Sequence, residues 1–295
     1  MTKHVLVVAA VGLAMLICGS ANAAPLWTPA DITTELWLDA SDPNTVTQSG
    51  GAISQWDDKS SNARNATQGT AANQPGYVLA AQNGLNVVRL DGTDDFLNLG
   101  TGLDWMAGES HVAFAVLKTS TFSNLYGAAN GNSGSSSLHV GFKDSSTYRI
   151  NYWANDYNPS ITPNYIAGDY NFIRWSWQAG AEKSIYANAK HEGTSAPGHA
   201  GAIGAMAGGG RIAGVVSGSN QGTLGADLGE LVILKGDPTQ DTIDKVEGYL
   251  AWKWGQEANL PSGHTYKNAA PVPEPATMSL LALGGIAMLR RRRRA

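Results

Sequence analysis

The acidic side chains are the first residues in this sequence to examine for chemistry. A retaining glycosidase needs two carboxylates about 5–5.5 Å apart, and acids at alternate positions of a strand would share one face. The densest clusters are Asp57-Asp58 and Asp91-x-x-Asp94-Asp95. Both lie among Gly, Ser and Asn residues, where Asp favours hydrogen bonds within its own turn. We therefore predict turn-forming roles for these acids and no catalytic residues.

The same acids are the best candidates for binding a metal. Ca²⁺ takes hard oxygen ligands from loops, so Asp91, Asp94 and Asp95 form a candidate weak calcium site, although the run does not match an EF-hand loop. No other cofactor is predicted. No zinc-site or Gly-x-Ser-x-Gly spacing occurs, and the histidines beyond residue 100 are scattered: His111, His139, His191, His199 and His264.

Aromatic side chains concentrate in the middle of the chain and offer a second kind of site. Aromatic faces can stack on sugar rings, but alternating aromatics on strands usually belong to a core. Tyr152 and Trp153 are adjacent, so on a strand they point to opposite faces. The candidates for sugar stacking are Tyr152, Trp153, Tyr157, Trp175 and Trp177.

The elements that would position these residues are mostly strands. Short alternating runs between Gly-rich breaks favour an antiparallel sandwich, and they predict strands at 35–39, 85–90, 111–119, 138–142, 148–153, 172–178, 183–187, 211–215 and 228–234. One helix is expected before Gly255, capped by Asp237 with Gln240 at the third position. Its buried stripe is predicted at Ile243, Val246, Leu250 and Trp254.

The first 23 residues have the pattern of a secretory signal peptide. Lys3 precedes an apolar run over 5–17, and a small-residue site predicts cleavage by signal peptidase between Ala23 and Ala24. The alternative is a retained anchor, but the run is shorter than the roughly 20 residues that span a bilayer. Cys18, the one cysteine of the sequence, lies here, so the mature chain has no disulfide.

Residues 269–295 have a different character from the domain before them. A proline box at Val272, Pro273, Glu274 and Pro275 cannot continue a helix or a sheet interior. It is followed by an apolar segment, 278–289, and then by the terminal cluster Arg290, Arg291, Arg292, Arg293 and Arg294. An apolar segment followed by arginines is typical of a span with its charged end in the cytoplasm.

This tail resembles the PEP-CTERM sorting signal in all three of its parts and in their order. The resemblance implies a Gram-negative host, transient insertion into the inner membrane and cleavage by an exosortase near 273–275. The expected destination is the cell surface or the exopolysaccharide matrix, where extracellular polysaccharide is a candidate partner.

The charge of the central domain excludes some functions. Of the 20 Lys and Arg, six lie in the two ends, and of the 24 Asp and Glu only Glu274 does, which leaves residues 24–268 with a net charge near −9. Binding to nucleic acid requires clustered cations, so a dispersed acidic charge argues against it. The remaining length suits one sandwich domain.

Most of residues 26–266, within the expected domain 24–268, also resemble the laminin G-like, concanavalin A-like jelly-roll domains of secreted bacterial proteins, least over residues 120–210. The resemblance implies an all-β fold of two antiparallel sheets with one C-terminal packing helix. Such domains include sugar-binding modules, adhesion modules and some glycoside hydrolases, so the fold does not determine the function. The matching segments are 36–41 (LWLDAS), 56–60 (WDDKS), 88–97 (VRLDGTDDFL), 229–233 (GELVI) and 246–255 (VEGYLAWKWG).

The sequence therefore leaves three hypotheses about function. The first is a non-catalytic carbohydrate-binding or adhesion module, which fits the missing pair of acids and the sorting tail. The second is a glycoside hydrolase or lyase acting on extracellular polysaccharide. The third is a structural matrix protein with no affinity for glycans.

Overall fold

The computed structural model describes residues 25–129, 137–152, 155–198, 204, 209–214 and 224–273. Five short 3₁₀ turns accompany the regular elements, at Pro29–Asp31, Pro43–Thr45, Ala71–Asn73, Asp104–Met106 and Glu257–Asn259. The strands and the helix are β1 (Leu36–Asp39), β2 (Val46–Ser49), β3 (Ala52–Trp56), β4 (Ala66–Thr67), β5 (Gly76–Gln82), β6 (Leu85–Asp91), β7 (Leu97–Gly100), β8 (His111–Thr121), β9 (Asn124–Ala129), β10 (Ser137–Asp144), β11 (Thr147–Tyr152), β12 (Asn155–Tyr157), β13 (Asn171–Trp177), β14 (Lys183–Ala187), β15 (Lys190–Thr194), β16 (Gly210–Ile212), β17 (Gly225–Lys235) and α1 (Gln240–Lys253).

The strand pairings, all antiparallel among the residues described, trace two sheets. The first sheet has the order β5–β6–β17–β8–β13–β14–β15, and β1 pairs with β17 beyond the end of β6. The second sheet has the order β2–β3–β4–β7–β16–β9–β10–β11–β12. A pair between Ala52 of β3 and Gly76 of β5 joins them.

The two sheets pack face to face around the larger core. Phe142 on β10 lies edge-on to Trp175 on β13, with ring centroids 6.2 Å apart. The rings of Tyr152 on β11 and Trp177 on β13 are 4.2 Å apart. Since neither β10 nor β11 pairs with β13, these contacts join separate layers. The prediction of an all-β, two-sheet antiparallel sandwich is confirmed.

A second core lies on the other side of the first sheet, under α1. Successive residues of β8 alternate between the two cores: Ala113, Ala115 and Leu117 face the second sheet, whereas Val112, Phe114 and Val116 face α1. Strand β17 is buried on both faces in the same way. Burial on both faces explains why these strands are apolar runs without alternation. The molecule therefore has three layers: helix, first sheet and second sheet.

Helix α1 forms where the sequence predicts it, but its cap differs. The four residues of the expected stripe are buried in the second core, and Gly255 ends the helix with a φ of +67°, which favours glycine. The predicted cap at Asp237 is wrong. The side chain of Thr239 caps the helix and accepts the backbone N–H of Thr242, because Thr242, and not Gln240, occupies the third helical position.

A fully buried carboxylate fastens α1 to the first sheet. One oxygen of Glu230, on β17, accepts from the Trp37 indole at 2.6 Å and the Tyr249 hydroxyl at 2.9 Å. The other accepts from the Lys253 ammonium at 2.7 Å and the Trp254 indole at 2.9 Å. Burial raises the pKa of Glu230, and the charge of Lys253 opposes that rise. Strand β1, strand β17 and helix α1 thus meet at one side chain.

Removing this carboxylate should be costly. We expect Glu230→Ala to lower the free energy of unfolding by about 3–5 kcal/mol, because a buried ammonium and two buried indoles lose their acceptor. Urea denaturation of the purified protein measures the change. Glu109→Ala is the matched control: the Glu109–Lys235 pair is exposed on both sides, so its loss should cost less than about 1 kcal/mol. Equal losses in the two variants would contradict the role given to Glu230.

Candidate functional site

Three of the predicted sugar-stacking aromatics lie inside the protein. Tyr152, Trp175 and Trp177 are each at most 1% exposed and belong to the core between the sheets. His111 stacks on Trp177 with centroids 6.4 Å apart. Rings enclosed in this way present no face to a sugar, so the prediction of sugar stacking is corrected for these three residues. The alternative that the sequence left open, packing between sheets, describes them.

The other two aromatics have different positions. Trp153 lies outside the described residues. Tyr157 pairs with Ile150, a residue of the core between the sheets, and it is half-buried at the rim, where its hydroxyl lies close to Gly193. Tyr157 therefore stays a candidate contact, but it does not lie on a broad aromatic platform.

The outward face of the second sheet carries a line of mostly polar residues, interrupted by Gly127, which we call the polar row. Each member pairs with the next across the strands. The row crosses all nine strands of the second sheet in the order Thr47, Gln55, Thr67, Asn98, Arg211, Gly127, His139, Asn151 and Asp156. Its two ends are exposed, whereas Gly127, His139 and Asn151 in its second half are buried.

His139 gives this face an unused polar group. Its side chain is 7% exposed, and its Nδ1 has no hydrogen-bond partner. Burial, together with the charge of nearby Arg149, lowers the pKa of His139 to about 4. The imidazole is therefore neutral near pH 7 and offers one donor and one acceptor.

Two arginines lie on the same face, and each is held by an asparagine of another strand. Arg211 Nε donates to Asn98 Oδ1 at 3.1 Å, and Arg149 Nη1 donates to Asn124 Oδ1 at 3.1 Å. The Arg149 Nε is buried without a partner. The sequence contained a signal for part of this face, since His139, Arg149 and Asn151 alternate with core residues. The four-residue strand around Asn98 gave none, whereas the strand predicted at 211–215 overlaps β16, which carries Arg211.

The candidate calcium site is a tightly bonded turn. The carboxylates of Asp91, Asp94 and Asp95 lie within 4.8 Å of one another. One Asp91 oxygen accepts the backbone N–H groups of residues 93, 94 and 95, at 2.7, 3.3 and 3.4 Å, and Asp95 accepts that of Asp91 at 3.0 Å. The turn chemistry predicted from the sequence is present. These oxygens already accept hydrogen bonds within the turn. Calcium binding at this position stays a prediction.

A second group of potential ligands, Asp244, Glu247 and His264, also lies within 4.8 Å. Glu247 pairs with Arg174 at 2.9 Å. The His264 Nδ1 accepts the backbone N–H of Tyr266, and its Nε2 lies 3.4 Å from a Glu247 oxygen. Asp244 accepts from the Thr265 hydroxyl at 2.7 Å, so these contacts hold the chain after α1 onto the helix.

The recess beside Glu230 does not offer a free acid. It has a volume of about 470 Å³ and is lined by residues that include Trp37, Asp39, Lys59 and Lys253. Burial alone would raise the pKa of Asp39, but Lys253, Ser41 and Lys59 outweigh it and lower that pKa. Both Asp39 oxygens bind an ammonium group, at 2.7 and 3.0 Å. These contacts assign the acid to the structure of the domain.

Among the acids of the turn at 91–95, Asp95 should make stability depend on pH. Burial, and then the charges of Asp91 and Asp94, raise its pKa to about 6. Ionised Asp95 therefore destabilises the fold above about pH 6, and this cost vanishes below about pH 4, where the carboxyl is protonated in both states. We expect Asp95→Asn to raise the melting temperature at about pH 7.5 and to leave it unchanged near pH 4. An equal change in melting temperature at both pH values would contradict the role given to Asp95.

The comparisons with known proteins identify first a kind of tail and then a kind of fold. Residues 271–294 match the PEP-CTERM protein-sorting motif. The chain thus carries a PEP-CTERM sorting motif, and the motif implies export, exosortase processing and membrane-associated sorting in a Gram-negative bacterium. No curated protein sequence matches the chain.

Solved structures with related folds are β-sandwich domains. One is domain 4 of a GH43 extracellular arabinanase from Geobacillus stearothermophilus in complex with arabinotriose, with TM-score 0.51, 13% identity and coverage of 73% of this chain and 98% of that one. Another is the binding domain of Paraclostridial mosquitocidal protein 1, with TM-score 0.53, 11% identity and coverage of 74% and 52%. A third is a GH54 α-L-arabinofuranosidase, with TM-score 0.51, 16% identity and coverage of 75% and 59%.

The folded domain extends to the first residue of the matched motif. Pro271 is buried, and its carbonyl accepts the backbone N–H of Trp27 at 2.9 Å. Val272 and Pro273 follow as described residues. Glu274, Pro275, the apolar segment, the five arginines and the signal-peptide cleavage site at Ala23 and Ala24 lie outside them. Within the described part of the chain, no helix is long and apolar enough to cross a membrane.

Proposed function

We propose that this protein is exported, is processed by an exosortase near residues 273–275, and binds extracellular carbohydrate without catalysis through the outward face of its second sheet. The observation that carries the proposal is the polar row. Its line across the nine strands of that sheet includes three amides, one guanidinium and one imidazole.

The chemistry of the row suits sugar hydroxyls. A hydroxyl both donates and accepts, and so do the side-chain amides of Gln55, Asn98 and Asn151, and neutral His139. Binding sites typically combine a concave surface with a few fixed polar groups. The polar row offers such fixed groups, with His139 and Asn151 buried and Gln55, Asn98 and Arg211 half-buried. The arabinanase domain in complex with arabinotriose supports the proposal by fold alone.

The acids of this face do not supply the pair that a glycosidase needs. Glycoside hydrolysis ordinarily requires a pair of carboxylates flanking the bond, and Asp156 is the single acid in the polar row. Two of the buried acids, Asp39 and Glu230, lie on the helix side of the first sheet and are bound by Lys253. A glycoside hydrolase or lyase, and a purely structural matrix protein, are the alternatives.

Binding should depend on the polar row. We expect the purified exported protein to bind oligosaccharides on a glycan array. Asn98→Ala should weaken binding of the best ligand about tenfold in calorimetric titration, since a lost hydrogen bond costs about 0.5–1.5 kcal/mol. Asn86→Ala is the matched control, because Asn86 lies on β6 of the first sheet. Equal effects of the two substitutions, or a blank array, would remove the support for this site.

A reducing-sugar assay on the same preparation separates binding from catalysis. We expect no sugar release from the array ligands or from extracellular polysaccharide. Release that disappears on replacement of one carboxylate would make the protein a hydrolase and refute the non-catalytic assignment.

The sorting tail should be removed. The apolar segment 278–289 is shorter than the roughly 20 residues of a stable span, and each terminal arginine resists crossing by at least ~2.5–3.5 kcal/mol. The protein should therefore pause in the inner membrane until it is cut. Intact-mass spectrometry of protein from its native host should find a C-terminus near residue 274. Retention of Arg290–Arg294 on most surface or secreted molecules would show that the tail is a lasting anchor.

A further inference from the structure

The arginines of this domain divide into two groups. Five lie in the described residues. Arg64, Arg89 and Arg174 each pair with a carboxylate, at 2.7, 2.6 and 2.9 Å. Arg149 and Arg211 form no ion pair with a described residue, and both lie on the outward face of the second sheet. In a domain with a net charge near −9, acids are plentiful, so two unpaired arginines on one face call for an explanation.

The partners of these two arginines orient them without neutralising them. Each guanidinium donates to an asparagine amide oxygen, and that of Arg211 also lies 4.0 Å from the ring centroid of Phe96. An amide or a ring face fixes the direction of the fork and leaves its full positive charge. Desolvation lowers the pKa of Arg149 and of Arg211, which shows that their surroundings disfavour the charge that they carry.

The acids near this face do not compensate. Asp156, at the end of the polar row, and Asp144, at the end of β10, act on Arg149 through their charges, but neither forms an ion pair with it. His139 is neutral near pH 7, because its pKa is lowered to about 4. A partly buried cation without a counter-ion is costly, and a ligand with negative charge removes that cost.

On the basis of the glycan-binding function proposed above, we propose that the ligand is an acidic glycan whose carboxylate groups bind Arg149 and Arg211. A guanidinium fork matches the two oxygens of a carboxylate. The arginines lie three strands apart and two residues out of register, which places their Cα atoms about 16 Å apart. One sugar does not span that distance, so the fitting ligand is a polymer or oligomer that repeats its acid, a polyuronide.

Polygalacturonate and its methyl ester test this inference, because the two polymers share the same polysaccharide chain and differ in charge. The ester removes the charge and keeps the sugar, so we expect the exported protein to bind the acid at least about tenfold more tightly, with an affinity that falls as the salt concentration rises.

Arg149→Gln and Arg211→Gln should each lower the affinity for the acid about tenfold. Lysine in place of either arginine should restore part of that loss. Arg89→Gln, whose pair with Asp227 lies on the first sheet, is the control and should change nothing. Asp156→Asn should tighten binding.

The outcomes distinguish this inference from the function on which it rests. If the acid and the ester bind equally and Asn98→Ala weakens both, the proposal of an acidic ligand is overturned, whereas the proposal of carbohydrate binding stands. Binding of the acid that is unchanged by both glutamine variants would overturn the role of the two arginines. Equal affinity for dextran sulfate would show that charge alone is recognised and would overturn the carboxylate assignment. A protein that binds none of these polymers or array glycans would overturn both proposals. The acid–ester comparison needs no variant, so a glutamine variant that fails to fold does not prevent the test.

Discussion

The structure depends on a carboxylate that is buried and yet fully hydrogen-bonded. Glu230 is 0% exposed, and its two oxygens accept from two indoles, a hydroxyl and an ammonium group. An ion without such partners would be too costly in this position. The need to satisfy it fixes the distance and the rotation of α1 relative to β17. At the neighbouring Gly229, an added Cβ would lie 2.6 Å from the Trp254 ring, so the indole packs directly on the strand backbone.

This constraint explains the sequence segments that resemble laminin G-like domains. Trp37 and Asp39 come from the first segment, Lys59 from the second, Glu230 from the fourth, and Lys253 with Trp254 from the last. Lys59 and Lys253 share the carboxylate of Asp39, which extends the network of Glu230 toward the surface. Four of the five segments that carry the resemblance therefore describe how the helix is joined to the sheet. They say little about a ligand.

The sequence predicted the layers better than it predicted the site. Strong alternation, or burial on both faces, revealed β8, β11, β13 and β17, and the apolar stripe revealed α1. Very short strands, such as β4 and β7, have too few positions for a period to appear, and no residue of β2 or β5 is fully buried. The site escaped for a related reason. Its arginines and asparagines come from distant segments that only the pairing of strands places in one row.

The layered arrangement also limits where a ligand can bind. Helix α1 covers part of the outer face of the first sheet, and large aromatics fill the space between the sheets. The outward face of the second sheet carries polar groups that have no partner among the described residues. His139 Nδ1 and Arg149 Nε are such groups, buried and without partners. A buried polar atom without a partner costs about 1–3 kcal/mol, and the fold tolerates this cost on the face opposite its helix, where a ligand can remove it.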